Sequence, residues 1–224
     1  MDCNAGFQVS LNVEGRSCLV LGADDEAIEK VERLLDAGGK VTVVHPTLPT
    51  PLRKLTASGK IIHRGRTFRS TDVQHGVAVV VNTHVGDHDL AKLLYDLAKT
   101  ERFLVWSIDQ PDLSSLTMPA LVKRGHLRVA ISTSGASPSL AKALRQDLET
   151  ILDEELVECL NWLARTRKTL RESEPNDVKR RTQLQDVIAG FGLTGTLTYP
   201  KAWQEKKDNS SMGQEGLDHG VVRV

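Results

Sequence analysis

The amino-acid sequence is poor in cysteine, in aromatic residues and in long hydrophobic runs. Its three cysteines, Cys3, Cys18 and Cys159, are scattered and form no CxxC motif, which suits a reducing cytosol and offers no metal-ligand spacing. Aromatic residues make up only 4% of the chain, so the core must be mainly aliphatic. No apolar run reaches the roughly 18 residues of a membrane span, and the N-terminus lacks a charged segment followed by an apolar one. We therefore expect a cytoplasmic protein without a membrane partner.

The chain also has no excess of charge of either sign, since 29 basic residues balance 29 acidic ones. This balance argues against a protein that binds nucleic acid through bulk positive charge, and we expect no nucleic-acid partner. The apolar fraction of 40% is sufficient for a buried core. At 224 residues the chain is predicted to form one large domain, or a main domain with an appendage.

Short apolar segments alternate with helical patterns through the first half of the chain. Apolar, often β-branched residues predict strands at residues 17–22, 41–44, 60–63, 77–81 and 103–106. Apolar residues at helical spacing predict helices at residues 25–37 and 87–99. Apolar strands that alternate with helices indicate a parallel sheet covered on both faces. We therefore predict an α/β fold, with a Rossmann-like doubly wound parallel sheet over residues 1–108.

The second half of the chain has a different pattern. Residues 118–123 and 127–132 predict an antiparallel pair of strands, and a helix follows from Pro138 to about residue 152. Two further helical patterns cover residues 156–170 and 176–189. We expect three regions: a small central α+β region over residues 109–150, a C-terminal helical region over residues 151–199, and a disordered polar tail over residues 200–224.

The turn before the helix at Pro138 has the composition of an anion site. Ser137 is placed to cap this helix and Pro138 to begin it. Free backbone N–H groups and the helix dipole would then point at one spot, so a negatively charged ligand is predicted at Ser134, Gly135 and Ser137. Three nearby basic residues are further candidates for binding an anion: Arg124, Lys142 and Arg145. Each of these cations is alternatively a solvated surface charge.

A dinucleotide-binding loop with the pattern G-x-G-x-x-G/A is expected after the first strand. The chain has Gly22-Ala23-Asp24-Asp25-Glu26-Ala27, which fits the first and third small positions but places Asp24 at the second. A carboxylate there would crowd and repel a pyrophosphate, at a cost of about 4 kcal/mol for like charges about 4 Å apart at an effective dielectric near 20. Alternatively, the three acids cap a helix and complement its dipole. The second strand ends at Val44-His45-Pro46, without the acidic residue that binds a ribose diol.

Several segments, taken in order, resemble one known family. Residues 7–15 look like its opening strand and turn, and residues 34–44 are similar to its first helix end and second strand. Ser107-Ile108-Asp109-Gln110-Pro111 is similar to its N-V-x-D-x-P segment. Met118-Pro119-Ala120, followed by residues 127–145, resembles its F-x-x-P-A and I-S-T-x-G-x-S-P-x-L-A-x-x-L-R signature. Over about residues 7–170 the chain therefore resembles the precorrin-2 dehydrogenase/sirohydrochlorin ferrochelatase family, the N-terminal module of siroheme synthase.

The chain departs from this family at three places. The three consecutive glycines of the family are Gly22-Ala23-Asp24 here, and the threonine–aspartate pair after the fourth strand is Thr83-His84. The asparagine of the N-V-x-D segment is Ser107.

The resemblance implies a two-step chemistry in siroheme biosynthesis. NAD accepts a hydride as precorrin-2 becomes sirohydrochlorin, and in some members the same cavity then inserts ferrous iron to give siroheme. It also implies a homodimer, with an interface formed in the central region and its helices. The NAD site would comprise Gly22, Ala23, Asp24, Asp25, Glu26, Ala27, Val44, Pro46 and Thr83. No resident metal is implied.

The catalytic aspartate of the family corresponds to Asp109. The position is also physically sensible, because Asp109 follows a strand at the sheet edge where α/β proteins bind ligands, and a carboxylate beside a macrocycle can accept protons. Alternatively, Asp109 only caps the turn at Gln110-Pro111-Asp112. His84 and His126 are interpreted as solvent-exposed loop residues, since neither has a partner at metal-ligand spacing.

Two other functions stay open at this point. Asp24 favours a chelatase-only enzyme, or a tetrapyrrole-binding protein, whose nucleotide site is degenerate. A non-catalytic α/β regulatory or scaffold module would keep the fold alone, and the presence of Asp109 and of the anion turn argues against it.

Overall fold

Five parallel strands form the centre of the structure, a computed structural model that describes residues 6–74, 76–201 and 204. The strands are β1 (Ser17–Leu21), β2 (Lys40–Val44), β3 (Ile61–Arg64), β4 (Val77–Asn82) and β5 (Leu104–Ser107). Their order in the sheet is β3-β2-β1-β4-β5, and every neighbouring pair is parallel. This order confirms the prediction of a Rossmann-like doubly wound sheet.

Helices cover both faces of the sheet because its strands are apolar on both faces. The helices of this part are α1 (Asp25–Asp36), α2 (Thr50–Ala57) and α3 (His88–Glu101). Along β1, Cys18 and Val20 belong to the core cluster that includes residues of α1 and α2, whereas Leu19 and Leu21 belong to the cluster that includes α3. Alternate residues of a strand point to opposite faces, which accounts for the division. The sequence patterns did not predict α2.

The strand order reverses between β1 and β4, and this reversal positions the candidate site. The chain passes outward from β1 through β2 to β3, and then returns to form β4 and β5 on the other side of β1. The carboxyl ends of parallel strands lie at one edge of the sheet, and ligands of open α/β sheets bind in the crevice at such a switch point. Gly22, His45 and Thr83, which directly follow β1, β2 and β4, therefore meet at this edge.

The other strands and α-helices of the described residues are a hairpin and three helices, and two short 3₁₀ helices lie at Ser70–Asp72 and Pro111–Leu113. The hairpin consists of β6 (Ala120–Arg124) and β7 (Leu127–Ile131), and the helices are α4 (Pro138–Ile151), α5 (Glu154–Ser173) and α6 (Asp177–Val187). No residue within α5 or α6 is buried in the single chain. No helix of the described part is long and apolar enough to span a membrane.

The chain divides into two compact units. One contains the sheet through Val122 together with Arg128–Ile151, and the other contains Lys123–Leu127 and the chain from Leu152 onward. The four-region division drawn from the sequence stays a prediction. Most of the predicted disordered tail, residues 202–203 and 205–224, lies outside the described residues.

Candidate active site

A cavity of about 480 Å³ opens at the carboxyl edge of the sheet. Its lining residues come from the ends of three strands: Gly22, Ala23 and Asp24 after β1, His45, Thr47, Leu48 and Pro49 after β2, and Thr83 and His84 after β4. The cofactor site predicted from the sequence includes Gly22, Ala23, Asp24 and Thr83, and the structure brings these four together. The prediction did not include four further lining residues: His45, Thr47, Leu48 and Pro49. The signal that could have found them is their position directly after β2.

Gly22 permits the close contact between the β1 loop and the end of β4. Its φ angle is +132°, and a β-carbon built there would lie 2.0 Å from Thr83 Oγ1 and 3.7 Å from the β-carbon of Ala27. The backbone of Thr83 is also bound to the end of β1, because its N–H donates to the carbonyl of Leu21 at 2.9 Å. The first small residue of the loop is therefore required by packing, and the small Ala27, fully buried, lets α1 approach.

Asp24 caps helix α1, as the alternative interpretation of the acidic cluster predicted. Its Oδ1 accepts a hydrogen bond from the backbone N–H of Ala27 at 2.8 Å and another from the Thr83 hydroxyl at 2.9 Å. The other predicted loop residues, Asp25, Glu26 and Ala27, do not line this cavity, and Glu26 pairs with Lys30 at 2.5 Å.

A second cavity of about 540 Å³ adjoins the first and shares His45 and His84 with it. The two imidazole ring centres are 6.0 Å apart. Apolar side chains dominate the rest of the wall: Val44, Pro46, Phe68, Leu90 and Leu93, with Thr67, Asp87 and Asp89. Val44 and Pro46 were predicted to bind the cofactor and lie here. His84 is half-buried and lines both cavities, so its interpretation as an exposed loop histidine is wrong. His126 is exposed, as expected.

A buried carboxylate holds the loop that supplies Thr67 and Phe68 to the second cavity. Asp72 is 5% exposed, and it accepts two hydrogen bonds from Arg66, at 2.6 and 2.7 Å, and a short one from Arg64. Burial raises the pKa of Asp72, but hydrogen bonds from Arg66, from the Arg69 backbone and from Arg64 outweigh it, and the net pKa falls to about 2.

Asp109 follows β5 at the same edge of the sheet. It sits in a turn closed by the Gln110 N–H donating to the Ser107 carbonyl at 3.2 Å, and its φ angle of +56° is left-handed. The Asp109 side chain is exposed, lines neither cavity, and makes no hydrogen bond to any residue that the structure describes. A capping role is therefore wrong, because the following 3₁₀ turn begins at Gln110 without a side-chain cap. The left-handed conformation is uncommon for a residue other than glycine.

The serine-rich turn adopts the predicted strand–turn–helix geometry. Ser137 Oγ accepts a hydrogen bond from the Leu140 N–H at 3.2 Å and so caps α4. The Ser137 N–H donates to Thr133 Oγ1 at 3.1 Å, and Ser134 has a left-handed φ of +51°. The turn is thus shaped by its own side chains. Its role as an anion site stays a prediction.

The three candidate cations, Arg124, Lys142 and Arg145, differ in their surroundings. Arg145 pairs with Glu149 at 2.6 Å along α4, and the Arg124 Nε–H donates to the Leu152 carbonyl at 2.9 Å. Lys142 is exposed. In the part of the chain that is described, no group of three or more histidine, cysteine or acidic side chains has the geometry of a metal site.

Comparison with known proteins connects both halves of the chain to siroheme biosynthesis. A family model for NAD(P)-binding proteins matches residues 9–120, and a model described as sirohaem biosynthesis protein central matches residues 124–150. The siroheme synthase of Xylella fastidiosa is 32% identical over 190 residues, which are 85% of this chain and 40% of that protein. The siroheme synthase of Nitrosococcus oceani is 32% identical over 182 residues, which are 81% of this chain and 38% of that protein.

A solved structure agrees with these matches. SirC, a precorrin-2 dehydrogenase, superimposes with a TM-score of 0.68 and 25% identity over 83% of this chain and 90% of that one. The chain belongs to the precorrin-2 dehydrogenase and siroheme synthase family. It spans about two fifths of the length of the curated siroheme synthases that it matches.

Membership in this family confirms the resemblance and the fold drawn from the sequence, and the matches support NAD as the cofactor. The structure fits this cofactor in three respects: the close approach at Gly22, the small Ala27 beneath it, and a cavity at the switch point between β1 and β4. Asp24 is the exception, because its carboxylate bonds the first-turn N–H that a phosphate would use.

Proposed function

We propose that this chain oxidises precorrin-2 to sirohydrochlorin with NAD, as a step of siroheme biosynthesis. The observation that carries the proposal is the pairing of two features: a cavity at the carboxyl edge of a doubly wound sheet, and a likeness to SirC precorrin-2 dehydrogenase that covers 83% of the chain. Both family matches add support, since together they span residues 9–120 and 124–150.

The cofactor would lie in the cavity described above, and NAD supplies a hydride acceptor when bound. Gly22 would let the backbone of the β1 loop approach the phosphates. The Thr83 hydroxyl and the Ala27 N–H would be donors to a phosphate at this helix N-terminus, but in the structure both donate to Asp24 Oδ1. Val44 and Pro46, which line the apolar second cavity, would contact the adenosine half.

Asp109 is proposed as the base. In the reaction precorrin-2 loses a hydride and a proton, and the proton requires an acceptor near the ring. Asp109 follows β5 at the carboxyl edge of the sheet, and its exposed carboxylate makes no hydrogen bond to described residues, so it is able to take that proton. Its exposure in the single chain leaves it accessible to a large ring.

The substrate carries several carboxylates, and the residues proposed to bind them are Ser134, Gly135, Ser137, Arg124, Lys142 and Arg145. The capped turn before α4 supplies backbone N–H groups, and the guanidinium and ammonium groups supply charge.

We also propose a homodimer, because α5 and α6 contain no buried residue in the single chain and Leu140, Ile151 and Trp162 are about half exposed. A cytoplasmic location is supported by the free thiols of Cys18 and Cys159.

An anaerobic assay with precorrin-2 and NAD tests the proposal, and ferrous iron is added as a second substrate afterwards. Absorbance at the first stage reports NADH and sirohydrochlorin, and a further spectral change after iron addition reports siroheme. NADH formation that depends on both precorrin-2 and the protein supports the dehydrogenase. If folded protein forms no NADH from precorrin-2 and NAD, the dehydrogenase proposal is contradicted.

The second candidate is a chelatase or tetrapyrrole-binding protein with a degenerate nucleotide site. One observation favours it: Asp24 occupies the hydrogen-bond donors of the phosphate position. Titration with NAD by calorimetry separates the candidates. If NAD binding does not saturate at millimolar NAD while sirohydrochlorin binding is retained, the second candidate is favoured. Saturation of NAD binding at lower NAD concentrations favours the dehydrogenase.

A further inference from the structure

A carboxylate of the protein itself, that of Asp24, occupies the N-terminus of α1. Asp24 Oδ1 accepts from the Ala27 N–H at 2.8 Å and from the Thr83 hydroxyl at 2.9 Å. The Asp24 carboxylate therefore connects the loop after β1 to the end of β4, the two neighbouring strands at the switch point of the sheet. We infer that Asp24 is an internal competitor of the cofactor's phosphates, which must displace its carboxylate from Ala27 and Thr83 in order to bind. This inference rests on the proposed function.

The geometry makes the competition direct. A phosphate at a helix N-terminus uses the free N–H groups of the first turn, and the Ala27 N–H is one of these. The tight contact between Gly22 and Thr83 brings the Thr83 hydroxyl to the same spot, where it would donate to a phosphate if Asp24 were absent. Asp24 itself is exposed to the cavity that it lines, so a ligand meets this carboxylate before it reaches either donor.

The charge of the cavity wall strengthens the effect. Its nine lining residues include one carboxylate, Asp24, and neither a lysine nor an arginine. His45 and His84 are the two other titratable groups among them. A diphosphate that enters this cavity therefore meets a like charge without a permanent cation to offset it.

The consequence is a weak dinucleotide site that one substitution strengthens. Asp24→Gly removes both the charge and the side chain. It leaves the Ala27 N–H without its capping acceptor and the Thr83 hydroxyl with only the longer contact to the Leu21 carbonyl, at 3.3 Å, so we expect the Kd for NAD to fall about tenfold or more. Asp24→Asn keeps the shape and the capping oxygen and removes only the charge, so a smaller decrease in Kd is expected. Inorganic pyrophosphate, a probe of the phosphate position alone, should bind Asp24→Gly measurably more tightly than the wild type.

Asp153 offers a matched control. It caps α5 with a backbone conformation almost identical to that of Asp24, φ −83° and ψ −177° against φ −83° and ψ −178°, and it accepts from the Leu156 N–H at 2.9 Å. It lines neither cavity. Asp153→Gly should lower thermal stability much as Asp24→Gly does, and leave the Kd values for NAD and pyrophosphate unchanged.

Calorimetric titration of the full chain and the three variants decides the inference. Tighter binding of NAD and pyrophosphate by Asp24→Gly, without a change in Asp153→Gly, supports it. Equal NAD affinity of wild type and Asp24→Gly, both saturable, overturns it and leaves the dehydrogenase proposal intact. If no variant binds NAD, the dehydrogenase proposal fails, and pyrophosphate then decides the inference: a gain in Asp24→Gly upholds it and no gain overturns it.

Discussion

The hydroxyl oxygen of Thr83 lies 2.0 Å from the place where a β-carbon on residue 22 would stand, so Gly22 and Thr83 fit together only because residue 22 has no side chain. The contact joins the end of β1 to the end of β4 and forms one wall of the cofactor cavity. Both strands are central in the sheet. A side chain at residue 22 would therefore change both the stability of the fold and the shape of the cavity.

Gly22→Ala is expected to lower the free energy of unfolding by about 2–4 kcal/mol, from positive-φ strain and from the overlap with Thr83. Gly86→Ala is the matched control, since Gly86 also has a positive φ of +78° but its β-carbon would meet nothing within 4 Å. That variant should cost only about 1 kcal/mol. Urea denaturation of both variants measures the difference. Equal losses would show that the overlap is relieved by movement of Thr83.

Asp72→Asn should destabilise the protein by about 2–3 kcal/mol at neutral pH, because a nearly buried carboxylate that accepts from Arg64 and Arg66 loses its charge. The exposed pair of Lys99 with Asp96 provides the comparison. Asp96→Asn should change stability by less than about 1 kcal/mol, as for other solvent-exposed ion pairs. Denaturation at pH 7 measures the free energy of unfolding of both variants. Comparable decreases would show that burial of the Asp72 carboxylate does not strengthen its ion pairs.

The same carboxylate predicts a dependence of stability on pH. The pKa of Asp72 is about 2 in the folded chain, below its ordinary value of 3.8, so the folded state binds its proton less readily than the unfolded state does. The stabilisation of about 2 kcal/mol is therefore fully present above about pH 4 and is lost as the pH falls towards 2. Wild type and Asp72→Asn should accordingly converge in stability at acid pH. A constant difference between pH 7 and pH 2.5 would contradict the lowered pKa.

Asp109→Asn is expected to lower precorrin-2 oxidation about 100-fold or more, the usual contribution of a catalytic base, without changing the Kd for NAD. Asp109→Gly should remove the activity equally but leave stability within about 0.5 kcal/mol, since glycine adopts the left-handed φ of +56° without strain. Asp112→Asn changes a neighbouring exposed carboxylate and should retain turnover. Full activity of Asp109→Asn would show that Asp109 is not the base that accepts the proton from precorrin-2.

Local patterns in the sequence predicted most of the elements, because the direction in which a side chain points repeats every two residues in a strand and every 3.6 in a helix. All five sheet strands and helices α1, α3 and α4 lie within a few residues of their predicted bounds. Helix α2 was missed. It is eight residues long with a proline at its start and a single buried residue, Leu52, so it has too short a periodic pattern to detect.

Local patterns were enough to predict a doubly wound sheet, the position of Asp109 after the last strand of that sheet, and the helix that begins after Ser137. They did not reveal that Thr83 donates to Asp24, that Gly22 must lack a side chain, or that His45 and His84 border one cavity. These contacts join residues that are far apart along the chain. Residues 22–24, 45–49 and 83–84 belong to separate loops, and the order in which parallel strands pair, which no local pattern encodes, brings their ends together.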